Sequence, residues 1–247
     1  MRHWQLLVNT ILTVILILIW QCTTKETKGI DADIFILGGS EAAFTAAIQA
    51  ARMEKSVILV EPTGHPGGML VEGIAKDIRF GSSIVIGGIT REIYTQIEHH
   101  YGREPEFDNP EWYSRYEPHI AEQLVEQALA AYPQIHIMRG LRLKEGEGVT
   151  QQGNKIVSVT LQNGTVLRAH QFIDASIEGH LIKEAGITYE TIREGNGKYE
   201  ETKNGIQVSN TYRQFLVKVD PYNIPGDPSS GLIRTIQEGD LGTYGAP

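Results

Sequence analysis

The 247-residue chain has one cysteine, Cys22, and lacks a basic cluster and a hydrophobic run of bilayer length. A single cysteine excludes a disulfide framework and a thiolate metal cluster, and no metal site is predicted. A net charge of −8 without a basic stripe makes nucleic acid an unsuitable partner. The length is sufficient to bury a sizeable core. The composition therefore indicates a globular protein without metal, disulfide or nucleic acid.

An apolar segment, a glycine turn, a helix and a second apolar segment follow one another between residues 33 and 61. The run Asp33–Leu37 is typical of a parallel strand buried on both faces. A helix rich in alanine is predicted from about Glu41 to Met53. Glu61 ends the second strand, 23 residues after Gly38. This order predicts a dinucleotide-binding βαβ unit whose helix directs free N–H groups at phosphates.

The glycine turn matches the dinucleotide fingerprint G-x-G-x-x-G/A with one departure. Gly38 and Ala43 stand at the first and third glycine positions, and Ser40 stands at the second. A serine fits there if the backbone keeps a negative φ. We predict that Gly38, Gly39 and Ser40 hold a pyrophosphate and that Glu61 accepts the ribose hydroxyls of an adenosine.

A second glycine pair, Gly67-Gly68, follows the acidic strand end. It resembles the second loop of flavoprotein oxidoreductases, which wraps the pyrophosphate and the ribityl chain of the cofactor. Asn163-Gly164 predicts a type I′ hairpin within a meander. The strand after this meander ends in Asp174 and resembles the second FAD motif of glutathione-reductase-like flavoproteins, which implies that Asp174 approaches the ribityl or phosphate groups. The predicted β runs are Leu141–Leu143 continuing toward Val149, Ile156–Leu161, Thr165–Ala169 and Gln171–Asp174.

Further sequence blocks occur in the order found in a bacterial family of FAD-dependent oxidoreductases that carry "GGML", "EPH" and "DATYEGD" motifs. The chain is similar to this family over residues 32–247. The resemblance implies FAD as the cofactor, a small organic substrate and hydride transfer to the flavin. The matching blocks are Gly67–Leu70, Gly87–Ile89, Glu117–Glu122, Ile173–Gly179, Asp220–Tyr222 and Pro225–Leu232.

The last motif departs from the family at three positions: Ser176 replaces Thr, Ile177 replaces Tyr and His180 replaces Asp. No catalytic residue is assigned from the sequence. A general base must lie within hydrogen-bond reach of the substrate proton, and the sequence does not rank His65, His119 and His180.

The expected fold class is α/β, a Rossmann-like FAD-binding domain with a parallel sheet and a β-meander crossover, over residues 32–185. The start of a second, substrate domain is expected over residues 186–247, with a strand at Tyr212–Val219. The family resemblance implies a considerably longer chain. We therefore expect a truncated protein, with a missing C-terminal half as a possible partner.

The N-terminus is predicted to be a targeting segment over residues 1–22, followed by a linker over residues 23–31. Leu6–Trp20 is about 15 residues long, shorter than the ~20 that span a bilayer, and fits the apolar core of a secretory signal. Cys22 at its end predicts a lipoprotein acylated at that residue, with an uncleaved anchor or simple cleavage as alternatives. We expect an exported protein at the membrane, periplasm or cell surface. FAD would then be acquired after export, because a twin-arginine pair is absent from the sequence.

Two other functions stay open at this stage. A non-catalytic nucleotide-binding remnant on an exported lipoprotein is favoured by the expected truncation, by Ser40 and by His180. An NAD(P)-binding enzyme is disfavoured by the extra glycine loop, and Glu61 would repel a 2′-phosphate. A structural or adhesion role has no positive feature in the sequence.

Overall fold

A computed structural model describes residues 30–73, 86–109, 112, 114–191, 193–206 and 219–233 of the protein. The chain divides into two compact units, Met1–Ile187 and Thr188–Pro247. Within the described ranges, the first unit contains a six-stranded sheet and four α-helices, and the second contains a two-stranded sheet. The expected functional domains, 32–185 and 186–247, stay a prediction.

The predicted βαβ unit consists of strand β1 (Ile30–Leu37), helix α1 (Glu41–Arg52) and strand β2 (Val57–Glu61). The two strands pair in parallel, and every residue of β2 is buried. An apolar run forms such a strand because packed groups cover both of its faces. Ala43 and Ala47 of α1 are fully buried, and their small side chains allow the helix to pack closely on the sheet.

Two longer helices and a third parallel strand extend this unit. Helix α2 spans Gly88–His100, and helix α3 spans Pro118–Ala130 with proline in its first turn, where a missing N–H is tolerated. Strand β3 (Ile135–Arg139) pairs in parallel with β2. This pairing makes β3 the third strand of the parallel part of the sheet.

A meander completes the sheet on the other side of β1. Strands β4 (Val149–Gln152) and β5 (Lys155–Thr160) are antiparallel, and β5 pairs antiparallel with the start of β6 (Val166–Asp174). Strand β6 runs parallel to β1, which gives the order β3-β2-β1-β6-β5-β4. The parallel core with its antiparallel meander confirms the predicted α/β Rossmann-like fold.

The connection between β5 and β6 differs from the predicted type I′ turn. That turn requires positive φ at both central residues, and Asn163 is not among the non-glycine residues with positive φ in the described part of the chain. The Gly164 N–H donates to the Leu161 carbonyl at 2.9 Å, and the Leu161 N–H donates to the Thr165 carbonyl at 2.8 Å. With Gly164 at φ 84, this is a three-residue loop of a type I turn and a glycine bulge. The hairpin is present, but the predicted turn type is wrong.

Two predicted strand limits also differ from the structure. The runs Thr165–Ala169 and Gln171–Asp174 form the single strand β6, because β1 supplies parallel partners along its length. Leu141–Leu143 lies outside the named strands, and Leu143 makes an isolated bridge to Leu161.

Hydrophobic clusters cover both faces of the parallel strands. One cluster joins Ile36 and Leu59 of the strands to Ile97 of α2. The other joins Phe35 and Ile58 to residues of the meander and to the short helix α4 (His180–Glu184). Successive strand residues point to opposite faces, so the apolar runs of β1 and β2 supply both clusters.

The second unit contains strands β7 (Tyr222–Ile224) and β8 (Asp227–Leu232), which pair antiparallel. The predicted strand at Tyr212–Val219 falls outside the described residues, apart from Val219. The predicted targeting segment with Leu6–Trp20 and Cys22 lies outside them as well. In the part of the chain that the structure describes, no helix has the length and apolar character needed to cross a bilayer.

Candidate cofactor site

A cavity of about 510 Å³ opens at the edge of the sheet where the parallel strands β1, β2 and β6 end. Open α/β sheets bind ligands at this edge, and the volume lies within the ~300–1,000 Å³ of ligand sites. The structure brings together five of the predicted cofactor residues in the cavity lining: Gly38, Gly39, Ser40, Glu61 and Gly68. The other three do not line it: Ala43, Gly67 and Asp174.

Contacts within the protein require glycine at both glycine positions of the first loop. Gly38 has φ 125, and a Cβ there would lie 2.3 Å from the carbonyl oxygen of Ala175. A Cβ on Gly39 would lie 2.5 Å from Oε1 of Glu61. These contacts exclude larger residues whether or not a pyrophosphate binds, so the pyrophosphate role of the two glycines stays a prediction.

Ser40 has the extended backbone that the sequence analysis requires, with φ −68 and ψ 172. Its hydroxyl donates a 2.7 Å hydrogen bond to the carbonyl oxygen of Ala175. The side chain therefore makes no capping bond to α1, and the helix keeps its first N–H groups uncapped by Ser40. Ala43 is fully buried in the cluster on the helix side of the sheet.

Glu61 is fully buried at the end of β2. Its Oε1 accepts hydrogen bonds of 2.7 Å from the backbone N–H and the hydroxyl of Thr63, and its Oε2 accepts one from the Gly64 N–H. Arg139 secures the same loop by donating to the Gly64 carbonyl at 3.0 Å. A carboxylate has about four acceptor positions, and these three bonds use all but about one of them. The ribose role stays a prediction.

The second glycine loop lies directly against the first. The Gly67 N–H donates to the Gly39 carbonyl at 2.8 Å. The Leu70 N–H donates to Oε1 of Glu41 at 2.9 Å, and a Cβ on Gly68 would lie 2.7 Å from Oε2 of Glu41. The two loops are therefore joined by backbone and carboxylate contacts at the start of α1.

Asp174 organises the chain after β6. Its Oδ1 accepts hydrogen bonds from the Ser176 N–H at 2.9 Å and the Ser176 hydroxyl at 2.6 Å, and its Oδ2 accepts one from the Ile182 N–H at 2.9 Å. These bonds hold the turn into α4. The carboxylate therefore stabilises this turn. Its approach to a ribityl or phosphate group stays a prediction.

The structure distinguishes the three histidines that the sequence does not rank, because only some of them lie at the cavity. His65 and His180 line the cavity, and His119 does not. Nδ1 of His65 lies 2.5 Å from Oε1 of Glu122. This hydrogen bond, and then the charge of Glu122, raises the pKa of His65. His65 is thus a candidate cation at the rim of the cavity.

Two cations that the sequence analysis missed also line the cavity. Arg142 precedes the meander and Lys183 lies on α4. Within the described ranges, neither side chain has a salt-bridge or hydrogen-bond partner in the protein, whereas Lys144 beside them pairs with Glu147 at 2.6 Å. The sequence shows each as a charged residue near a strand end, but only the sheet brings them to one cavity.

The cavity also carries acidic groups. Its acidic lining residues are Glu61, Glu72, Glu145, Glu178 and Glu184. Among the described residues, no group of three or more His, Cys, Asp or Glu side chains is placed to hold a metal ion. An anionic ligand would therefore depend on backbone N–H groups and on the few basic side chains.

Several solved structures resemble this chain at low identity. The GidA-related protein of Thermus thermophilus is 14% identical, with a TM-score of 0.37 over 58% of this chain and 52% of its own. The L-proline dehydrogenase of P. horikoshii is 14% identical, with a TM-score of 0.45 over 68% of this chain and 59% of its own. Thermovibrio ammonificans THI4 is 17% identical, with a TM-score of 0.44 over 76% of this chain and 73% of its own.

The chain therefore spans about half of the Thermus protein that it resembles (52%), and identities at this level carry no information about a substrate. No curated protein matches the sequence. The family profile named FAD dependent oxidoreductase matches residues 33–238, which include both glycine loops, the meander and the strand pair of the second unit. The chain belongs to the family of FAD dependent oxidoreductases.

Proposed function

We propose that the protein binds FAD with the adenosine diphosphate half in this cavity and oxidises a small organic substrate. One observation carries the proposal: the first glycine loop, Glu61 and two exposed cations, Arg142 and Lys183, border the same cavity. These groups supply the small backbone surface, the ribose acceptor and the positive charge that an adenosine diphosphate needs.

Each group has a distinct task in this proposal. Gly38, Gly39 and Ser40 would present backbone to the diphosphate. Glu61 would accept a ribose hydroxyl with the acceptor capacity that Thr63 and Gly64 leave free. FAD held by these residues would supply the redox chemistry, as the acceptor of a hydride from the substrate.

Arg142 and Lys183 are assigned to the negative charge of the diphosphate. Both are exposed and lack a protein partner within the described ranges, so they do not have to break an ion pair to bind an anion. A guanidinium donates paired hydrogen bonds to phosphate oxygens, and an ammonium acts as a point charge. The predicted fingerprint does not include either residue.

Calorimetric titration of the full-length protein with FAD tests the proposal. The double variant R142Q/K183Q should bind FAD at least about tenfold more weakly, since charge-assisted bonds are lost at a partly exposed site. The matched control R168Q/K155Q removes the same two charge types from exposed positions outside the cavity and should leave the affinity unchanged. Wild-type protein that shows no heat with FAD, after correct refolding, would refute the assignment.

A second candidate is a nucleotide-binding remnant without turnover. It is favoured by Glu61, whose two carboxylate oxygens already accept hydrogen bonds from the following loop. Anaerobic bleaching of the bound flavin by a panel of small alcohols, amines and hydroxy acids separates the two candidates. Bleaching by any donor supports the oxidoreductase, and FAD binding without bleaching by any of them supports the remnant.

We also propose that the protein is exported and held at a membrane by its N-terminus. The support is the apolar run Leu6–Trp20 followed by the single cysteine, Cys22. Metabolic labelling with an alkyne fatty acid should mark the wild-type protein and not the variant C22S. Equal labelling of both proteins would contradict acylation at Cys22.

A further inference from the structure

We infer that His65 binds the diphosphate of the cofactor and that Glu122 positions its ring, so that FAD is held more tightly at slightly acidic than at slightly alkaline pH. The inference rests on the proposed function and adds two residues to the predicted cofactor site. It makes the affinity for FAD depend on pH through the charge of one side chain.

The backbone at His65 is held beside the first glycine loop. Glu61 accepts the Thr63 N–H at 2.7 Å, and the Thr63 hydroxyl accepts the His65 N–H at 3.2 Å. Two residues after His65, the Gly67 N–H donates to the Gly39 carbonyl at 2.8 Å. His65 therefore lies on a short segment between the ribose candidate and the loop assigned to the diphosphate, and it lines the same cavity.

One ring nitrogen of His65 is bonded within the protein and the other is not. Nδ1 lies 2.5 Å from Oε1 of Glu122, a residue of α3. An ionised carboxylate only accepts hydrogen bonds, so we assign the proton to Nδ1. Within the described ranges, Nε2 of His65 has no hydrogen-bond partner in the protein. It is therefore the nitrogen that a ligand in the cavity can use.

Protonation of His65 decides what Nε2 offers to an anion. Both nitrogens of the imidazolium donate, so Nε2 would give a phosphate oxygen a charge-assisted hydrogen bond. In the neutral ring with its proton on Nδ1, Nε2 is an acceptor and presents a lone pair to the same oxygen. Because Glu122 keeps the proton on Nδ1, loss of the charge also removes the donor.

The charges that face His65 favour its cationic form. The hydrogen bond to Glu122, and then the charge of Glu122, raise the pKa of His65 above its ordinary value of 6.5. The charges of Glu61 and Glu72 add to this shift. The ring is therefore charged below about pH 6.5 and becomes neutral as the pH rises through the raised value.

The other charged groups of this region do not explain such a pH dependence. Arg139 donates to the loop at the Gly64 carbonyl and is paired with Glu126 at 2.7 Å. Arginine, lysine and glutamate ordinarily keep their charges between about pH 6 and 8.5. The remaining residues of these types in the lining come from the segments after β3 and β6: Arg142, Lys144, Glu145, Glu178, Lys183 and Glu184.

His180 is the second histidine of the cavity and provides the matched control. Its Nδ1 lies 3.9 Å from Oε2 of Glu178, which is too far for a hydrogen bond. Both histidines are exposed, so neither substitution removes a packed side chain. The variant H180Q therefore removes a titrating group from the same cavity without the positioning carboxylate.

Three substitutions separate the charge of His65 from its other contributions. H65Q is neutral at every pH. H65K keeps a cation throughout the range, because lysine ordinarily titrates near pH ~10.4. E122Q removes the carboxylate that raises the pKa of His65. A purely structural role of His65 would be impaired by both H65Q and H65K, whereas a role of its charge is retained in H65K.

Calorimetric titration with FAD of the full-length wild type and the four variants, at about pH 6, 7.5 and 8.5, tests the inference. The wild type should bind FAD about fivefold more tightly at the lowest pH than at the highest, a modest change because the His65 side chain is 59% exposed. H180Q should keep this change, whereas H65Q and H65K should vary by less than about twofold. H65K should bind more tightly than the wild type at the highest pH, and E122Q should lose affinity at a lower pH than the wild type. Thermal melts at each pH verify folding.

The outcomes separate this inference from the proposed function. An equal affinity of the wild type at all three pH values, or a change that persists in H65Q, overturns the inference and leaves the proposed function standing. The same holds for a change that H180Q abolishes and H65Q keeps. If H65Q does not fold, H65K still decides. No binding of FAD by the wild type at any of these pH values overturns the proposed function and the inference with it.

Discussion

The hydroxyl of Ser40 donates a 2.7 Å hydrogen bond to the carbonyl oxygen of Ala175, 135 positions later in the chain. The bond joins the first glycine loop to the end of β6, where the backbones of Gly38 and Ala175 already pack too closely for a Cβ. Serine at the second fingerprint position therefore has a structural cause, since glycine cannot make this bond.

Replacing Ser40 by alanine should destabilise the protein by about 1 kcal/mol, the usual net worth of one neutral hydrogen bond. Replacement by glycine should cost slightly more, because glycine also adds backbone freedom to the unfolded chain. Urea unfolding measures both changes. A Ser40→Gly protein as stable as the wild type would show that the Ala175 bond contributes nothing.

Replacing Gly38 by alanine should destabilise the fold by about 3 kcal/mol or more, since strain at positive φ adds to a backbone clash. The matched control is Gly153→Ala, which also has positive φ (60) but has no atom within 4 Å of the new Cβ. The control should cost about 1–2 kcal/mol through backbone strain alone. Equal losses in the two variants would contradict the close contact with Ala175.

The pair formed by His65 and Glu122 should make stability depend on pH. The hydrogen bond to Glu122 raises the pKa of His65 above its ordinary value of 6.5. Stability from the charged pair is therefore fully present below about pH 6.5 and disappears as the pH rises through the folded-state pKa. An NMR titration of the His65 ring should show the raised pKa in the wild type and a lower one in E122Q.

The control for this titration is E126Q, one turn further along α3. Glu126 pairs with Arg139 at 2.7 Å and not with His65. The variant E126Q removes the same charge from the same helix. The pKa of His65 should therefore change far less in E126Q than in E122Q. A His65 pKa that is the same in the wild type and E122Q would exclude the pair.

Arg103 should stabilise the fold, because it pairs with the buried carboxylate of Glu98 near the end of α2. The Glu98 side chain is 3% exposed and accepts bonds from Arg103 Nε at 2.7 Å and Nη2 at 3.0 Å, as well as one from the Ser114 hydroxyl. Arg103→Met leaves this carboxylate without its cation. The cost should be about 2 kcal/mol, below the value for fully buried pairs, because the arginine is 42% exposed and water replaces part of the interaction.

The double variant E98Q/R103M should recover part of the stability that R103M loses, because a buried amide needs no counter-charge. Urea unfolding of the two single variants and the double variant forms a mutant cycle that gives the coupling energy. A coupling close to zero would indicate that the pair is solvated.

The βαβ unit and the family could be predicted because they depend on local patterns. A fully apolar run predicts a strand covered on both faces, and β2 is buried at every position. The alternation of strand, small-residue helix and strand brings β1 and β2 into parallel register. The predicted type of turn at Asn163-Gly164 was wrong because the hydrogen bond from the Leu161 N–H to the Thr165 carbonyl closes a loop of three residues and not two.

By itself, the sequence determined the order of the elements, the two glycine loops and the acidic end of β2, because each depends on residues close together in the chain. Tertiary structure alone decided which charges face the cavity. Arg142 and Lys183 meet there only because β6 lies between β1 and the meander, and Glu41 contacts Leu70 only because the second glycine loop folds back onto α1. Distances across a sheet depend on its strand order, and no local pattern of side chains specifies them.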